Sequence, residues 1–165
     1  GSGPHKIPYY IKHNRKSSVN FFGIDILIGE HPKELNFVQG MGEHLPYKND
    51  LFDMTSSGTS FMHYVNLKAG IKEALRVTKP DGCLCIWVGV KSPSAPKPKE
   101  NAEWYNKLQV PEMAENPFHF KRYDEADFER SFNELNAKVI KKEVYHVDNW
   151  RSSLFYKVKK NGSTR

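Results

Sequence analysis

The sequence predicts an α/β protein, and three observations lead there. Residues 71–88, Ile-Lys-Glu-Ala-Leu-Arg-Val-Thr-Lys-Pro-Asp-Gly-Cys-Leu-Cys-Ile-Trp-Val, read as the end of an amphipathic helix, a tight Pro-Asp-Gly turn and a buried strand. Upstream, Phe21-Phe22-Gly23-Ile24-Asp25-Ile26 and Leu51-Phe52-Asp53-Met54-Thr55-Ser56-Ser57-Gly58 are short runs of strand character. Downstream, Phe128, Phe132 and Leu135 recur at helical spacing ahead of two more strand-like segments.

Each element has a local cause. Pro80 cannot continue a helix, and Gly82 is expected to supply the positive φ of the turn. The apolar run after it suits a central strand covered on both faces. Phe37-Val38-Gln39 is a further strand, followed by the loop Gly40-Met41-Gly42-Glu43-His44-Leu45-Pro46-Tyr47. After Val90 the chain changes character: Ser92-Pro93-Ser94-Ala95-Pro96-Lys97-Pro98-Lys99 fits neither regular helix nor central strand. Residues 92–120 are too long for an ordinary loop, yet they carry Trp104, Tyr105, Met113 and Phe118, which are costly to leave in water. A lid-like insertion is expected there. Asp124 is a helix N-cap with Asp127 in an imperfect capping box. Strands are expected over 138–147 and 153–158, joined by the Asp148-Asn149-Trp150-Arg151 turn.

At 165 residues, the chain reads as one domain, 1–165. The net charge of +6 comes largely from lysines spread through the second half, without an arginine-rich block. That spread reads as solvated surface, so nucleic acid is not an expected partner, whereas an acidic or phosphate-bearing small molecule is compatible. No apolar run reaches membrane-spanning length and no signal peptide is visible, so a soluble, cytoplasmic protein is expected. Cys83 and Cys85 are expected to turn to opposite faces of their strand without bridging, and no metal-ligand spacing is present.

Taken in order, these segments resemble the class I S-adenosylmethionine-dependent methyltransferases of the ubiquinone-biosynthesis-like kind (methyltransferase type 11). Gly1-Ser2-Gly3-Pro4 resembles the later part of the family's first motif, although Gly-Ser-Gly also matches a cloning scar. Asp25 stands where the acid after the second strand stands, about 20 residues beyond the Gly-x-Gly. Residues 37–47 resemble the strand and "Gly-Asp-Ala-Glu-x-Leu-Pro-Phe" phrase, with Met41 in the acid's place. Residues 51–58, His63 and the Arg76-Val77-Thr78-Lys79-Pro80-Asp81-Gly82 run complete the match.

The resemblance implies a doubly wound, mostly parallel, Rossmann-like sheet with an antiparallel C-terminal strand. The family's first strand and its acid have no counterpart before Gly1, so a sheet missing that N-terminal strand is expected. S-adenosylmethionine or S-adenosylhomocysteine is the implied cofactor, at the carboxyl ends of the strands. Gly1 and Gly3 would approach it, Asp25 would accept from the ribose hydroxyls, and Met41, Gly42 and Glu43 would meet the adenine side. Ser56 and Ser57 would pass the methionyl part. His119-Phe120-Lys121-Arg122-Tyr123 resembles a "His-x-Phe-Arg-x-Tyr" phrase, placing His119 and Tyr123 toward the acceptor, with His119 and His63 as candidate bases. The implied reaction is methyl transfer to a small-molecule acceptor such as a sugar or other metabolite. The alternative is a methyltransferase-like domain, truncated or inactive, that only binds.

Overall fold

The computed structural model describes residues 19–26, 35–91, 123–146 and 151–161. In chain order the elements are β1 (Phe21–Asp25), β2 (Leu35–Gln39), β3 (Phe52–Gly58), a 3-10 turn (Phe61–His63), α1 (Leu67–Val77), β4 (Thr78–Lys91), α2 (Glu125–Glu134), β5 (Ala137–His146) and β6 (Arg151–Lys160). Strands β1 and β2 pair in parallel, as do β3 and β4, while β6 runs antiparallel to both β4 and β5. The ladders form a two-stranded sheet, β1-β2, and a four-stranded sheet in the order β3-β4-β6-β5. No ladder joins β1 to β3 among the described residues; instead Phe22, Tyr47 and Phe52 meet ring to ring, with the Phe22–Phe52 centroids 5.3 Å apart.

Helix α1 forms because its sequence satisfies both its end and its face. The Asn66 side chain accepts from the Ala69 amide at 3.0 Å, capping the first turn. Leu67, Ile71, Ala74 and Leu75 then form one buried stripe. The helix stops at Val77. There Thr78 Oγ1 donates back to the Ala74 carbonyl at 2.6 Å, and Thr55 Oγ1 lies 2.7 Å from it, so Thr55 is the donor of that second contact. Helix α2 starts with the full capping box: the Asp127 amide donates to Asp124 at 2.9 Å, and the Asp124 amide donates to Asp127 at 3.2 Å.

Both helices pack on one face of the four-stranded sheet. Leu84, Ile86 and Val88 of β4 and Leu154, Tyr156 and Val158 of β6 point into that core, which Phe61, Ile71, Phe128 and Phe132 close. Each such side chain contributes about 1.5–3 kcal/mol by leaving water. The opposite face of β4 is not covered by either helix. Trp87 is 49% exposed and stacks on Tyr145 at 5.8 Å, so among the described residues β4 alternates rather than being buried on both faces.

Two further expectations need correction. Gly82 does not sit at positive φ; a Cβ there would lie 2.6 Å from the Asp53 carbonyl oxygen, so glycine is required by backbone approach. The Pro-Asp-Gly segment is a bulge within β4: between the pairs Phe52–Thr78 and Met54–Cys83, the single residue Asp53 of β3 is matched by four residues of β4, 79–82. Cys83 and Cys85 share one face, because residues two apart on a strand always do. They pair in register with Met54 and Ser56.

Candidate cofactor site

The carboxyl ends of β1 and β2 bring Asp25 and Glu43 close to Tyr64. The Gly40 amide donates to the Asp25 carbonyl at 2.8 Å, fastening the end of β2 to the end of β1. Asp25 is buried to 9% exposure, as is Glu43 in the loop after β2. The Glu43 carboxylate accepts from the Val65 amide at 2.9 Å, so this residue ties its loop to the segment that enters α1. Ser60, at the exit of β3, is 5% exposed.

Tyr64 stands at the centre of this cluster. Burial raises its phenol pKa; a hydrogen bond with Ser60 opposes that shift, and the charges of Glu43 and Asp25 add to it. A Cβ on Gly42 would lie 1.9 Å from the Tyr64 hydroxyl, and one on Gly70 would lie 2.3 Å from its ring. The ring is therefore wedged between a loop glycine and a helix glycine. The space that the missing side chain of Gly42 leaves belongs to Tyr64. Gly70→Ala should accordingly destabilise the fold. The helix gains about 1 kcal/mol from alanine, but overpacking costs about 1–3 kcal/mol. Pairing it with Tyr64→Ala in a thermal-melt double-mutant cycle should recover much of the loss. A more stable Gly70→Ala single variant would refute the wedge.

The loop of residues 45–49 is held by α1. Arg76 donates to Glu73 through Nε at 2.7 Å and through a terminal nitrogen at 2.8 Å. It also reaches the carbonyls of Tyr47 at 2.7 Å and Leu45 at 2.9 Å, and Asn49 Oδ1 at 2.8 Å. Glu73 in turn accepts from the Leu45 amide at 2.9 Å. The Arg76 hydrogen bond holds the Glu73 carboxyl below its ordinary value, and Glu73 raises Arg76. The Leu-Pro-Tyr phrase and the helix arginine, 29 residues apart at Tyr47 and Arg76, are thus one structure.

At the end of β3, Ser56 and Ser57 face opposite sides, in register with Cys85 and Ile86. The Ser57 hydroxyl is buried without a hydrogen-bond partner, and Gly58 has open space where a Cβ would stand. Thr59 follows with φ 55°, a conformation that strains a β-branched residue and so marks a constrained corner. Met41 is 48% exposed at the rim, and His63 is exposed on the 3-10 turn. Tyr123 does not turn toward an acceptor: it is 8% exposed, and its hydroxyl donates to the Tyr64 and Val65 carbonyls at 3.0 and 3.1 Å. Gly1, Gly3, His119 and the 92–120 insertion lie outside the described residues. Tyr64, Ser60 and Glu73 were not singled out from sequence, and Arg76 only as part of its run; a glycine inside an otherwise sound helix, Gly70, was the available signal for Tyr64.

Parallel strand pairs closed by an antiparallel strand, with a buried acid at the carboxyl end of β1, make a Rossmann-like α/β arrangement. The family model described as a methyltransferase domain matches residues 12–86 of this chain. The chain is 33% identical over 86 residues to 2-methyl-6-phytyl-1,4-hydroquinone methyltransferase 1, chloroplastic, of Oryza sativa subsp. japonica, a match covering 44% of this chain and 26% of that protein. It is 30% identical over 107 residues to the uncharacterized protein YafE of Escherichia coli (strain K12), covering 65% of this chain and 48% of that one. The chain thus spans less than half the length of these relatives. Among solved structures, the cyclase SpnF superposes with a TM-score of 0.66 at 12% identity, over 93% of this chain and 70% of that one. That likeness concerns the fold alone.

Proposed function

We propose that the chain binds S-adenosylmethionine at the carboxyl ends of β1–β3 and transfers its methyl group to a small-molecule acceptor. The observation that carries this reading is Asp25, an acid buried beside the tied ends of β1 and β2. The donor set fits such a cofactor in its ribose and methionyl parts. A carboxylate suits two vicinal hydroxyls, the unpartnered Ser57 hydroxyl offers a polar contact, and Gly58 leaves room beside it. The exposed Met41 thioether is suited to pack on a purine face.

Bound there, the cofactor supplies an activated sulfonium methyl; the protein's work is to hold an acceptor in line with it and to exclude water. His63, exposed on the turn after β3, is the first candidate for taking an acceptor proton. His119 is the second candidate for that role. Isothermal titration should show S-adenosylhomocysteine and S-adenosylmethionine binding and no heat with NAD. Heat with NAD alone would end this reading.

A second reading rests on Met41 and Tyr64. In the family phrase that residues 37–47 resemble, Met41 takes the acid's place, and the Tyr64 ring fills the space beside Gly42. Both favour a domain that binds without turning over. Binding of S-adenosylhomocysteine with no methylated product from a metabolite extract, read by mass spectrometry, would favour this second reading.

A further inference from the structure

The sheet face that α1 and α2 leave uncovered carries a set of sulfur atoms with no part in the reading above. Met54 of β3 is the register partner of Cys83 on β4, and Cys85 lies two residues further along the same face. Met54 is 59% exposed and both cysteines are half-buried and free. The two thiols also interact with each other directly, and Lys157 of β6 stands beside Cys85 in register. All three side chains belong to paired strands, so the backbone holds their spacing.

We propose that Met54, Cys83 and Cys85 form a binding site for a soft monovalent cation, copper(I). Thiolate and thioether sulfur select this ion over harder divalent metals. Among the described residues no three histidine, cysteine, aspartate or glutamate side chains converge, so a four-coordinate zinc ion lacks ligands here. Copper(I) is satisfied by two thiolates with a third, neutral sulfur. Binding forms two copper–thiolate bonds and one copper–thioether bond and releases the two thiol protons to solvent, with no change of oxidation state. The resulting complex carries one negative charge, which the Lys157 ammonium offsets.

The test uses the reduced, unmodified chain, titrated with copper(I) in competition with bicinchoninate. One copper per chain should leave the chelator, a thiolate-to-copper band should appear in the near ultraviolet, and both cysteines should lose iodoacetamide labelling. Because losing an outer-shell partner already costs about 10–100-fold in metal affinity, Cys83→Ser and Cys85→Ser should each weaken binding by more than about 100-fold. Met54→Leu should weaken it by about 10-fold. Circular dichroism checks that the variants fold; should a serine variant fail, the labelling pattern of the unmodified chain decides. Copper withheld by the chelator, cysteines still labelled in the copper-bound chain, or unchanged affinity in the double serine variant would each overturn the site.

Discussion

Asp25→Ala is expected to weaken S-adenosylhomocysteine binding by about 30- to 150-fold. Two hydroxyl contacts to a charged acceptor would be lost, worth together about 2–3 kcal/mol. Asp25→Asn should lose less, since the amide oxygen still accepts while the charge is gone. Titration calorimetry separates the two variants. The acid is buried and has a protein contact of its own, so the thermal midpoint of each variant must be followed beside the affinity. A variant that melts normally yet binds with unchanged affinity would remove Asp25 from the site.

Arg76→Ala should lower stability by about 2–3 kcal/mol, read as denaturant midpoint. One guanidinium satisfies Glu73, two carbonyls and Asn49, and hydrogen bonds to charged groups are worth about 1.5–3 kcal/mol each before discounting for the partial exposure of this pair. Arg76→Lys should rescue little, because an ammonium cannot reproduce the bidentate fork. Acid should act in the same direction. Glu73 has a folded pKa held below its ordinary 4.5, so its contribution is complete above that value and is lost as pH falls through the lowered one. Melts at pH 7 and pH 3 should therefore differ more for the parent chain than for Arg76→Ala. Equal differences would show that the bridge contributes nothing to acid sensitivity.

Much of the framework was legible because its causes are local. Asp124 and Asp127 announce the start of α2 within four residues, and Pro80 limits α1 whatever else surrounds it. The predicted strand over 138–147 is observed as Ala137–His146. Residues whose purpose lies in another element were not legible in this way. Gly42 and Gly70 are explained only by a ring that stands between them in space. Gly82 likewise answers to the Asp53 carbonyl on a neighbouring strand, not to its own turn. The lysines looked scattered along the chain, but strand pairing sets Lys138 beside Lys159 and Lys141 beside Lys157. The cysteine expectation failed for a plainer reason, a miscounted strand period. Asp25 and Glu43 were named through the resemblance and both are buried, whereas Tyr64, which touches the glycine between Met41 and Glu43, was passed over.

The position of β6 governs the order in which this chain can become a folded body during synthesis. It is the last strand to be made among the described elements, yet it lies between β4 and β5. Until it emerges from the ribosome, β4 presents an open edge and the Phe128–Phe132 surface of α2 has no Tyr156 to close on. Ribosomes add about 5–20 residues per second, so the wait from β4 to β6 is on the order of several seconds. An unpaired apolar strand over that interval invites association with other nascent chains. Protection of this half-made sheet by a chaperone, or a slow codon stretch placed after β6 rather than before it, would then set the yield of soluble protein more than any residue of the site.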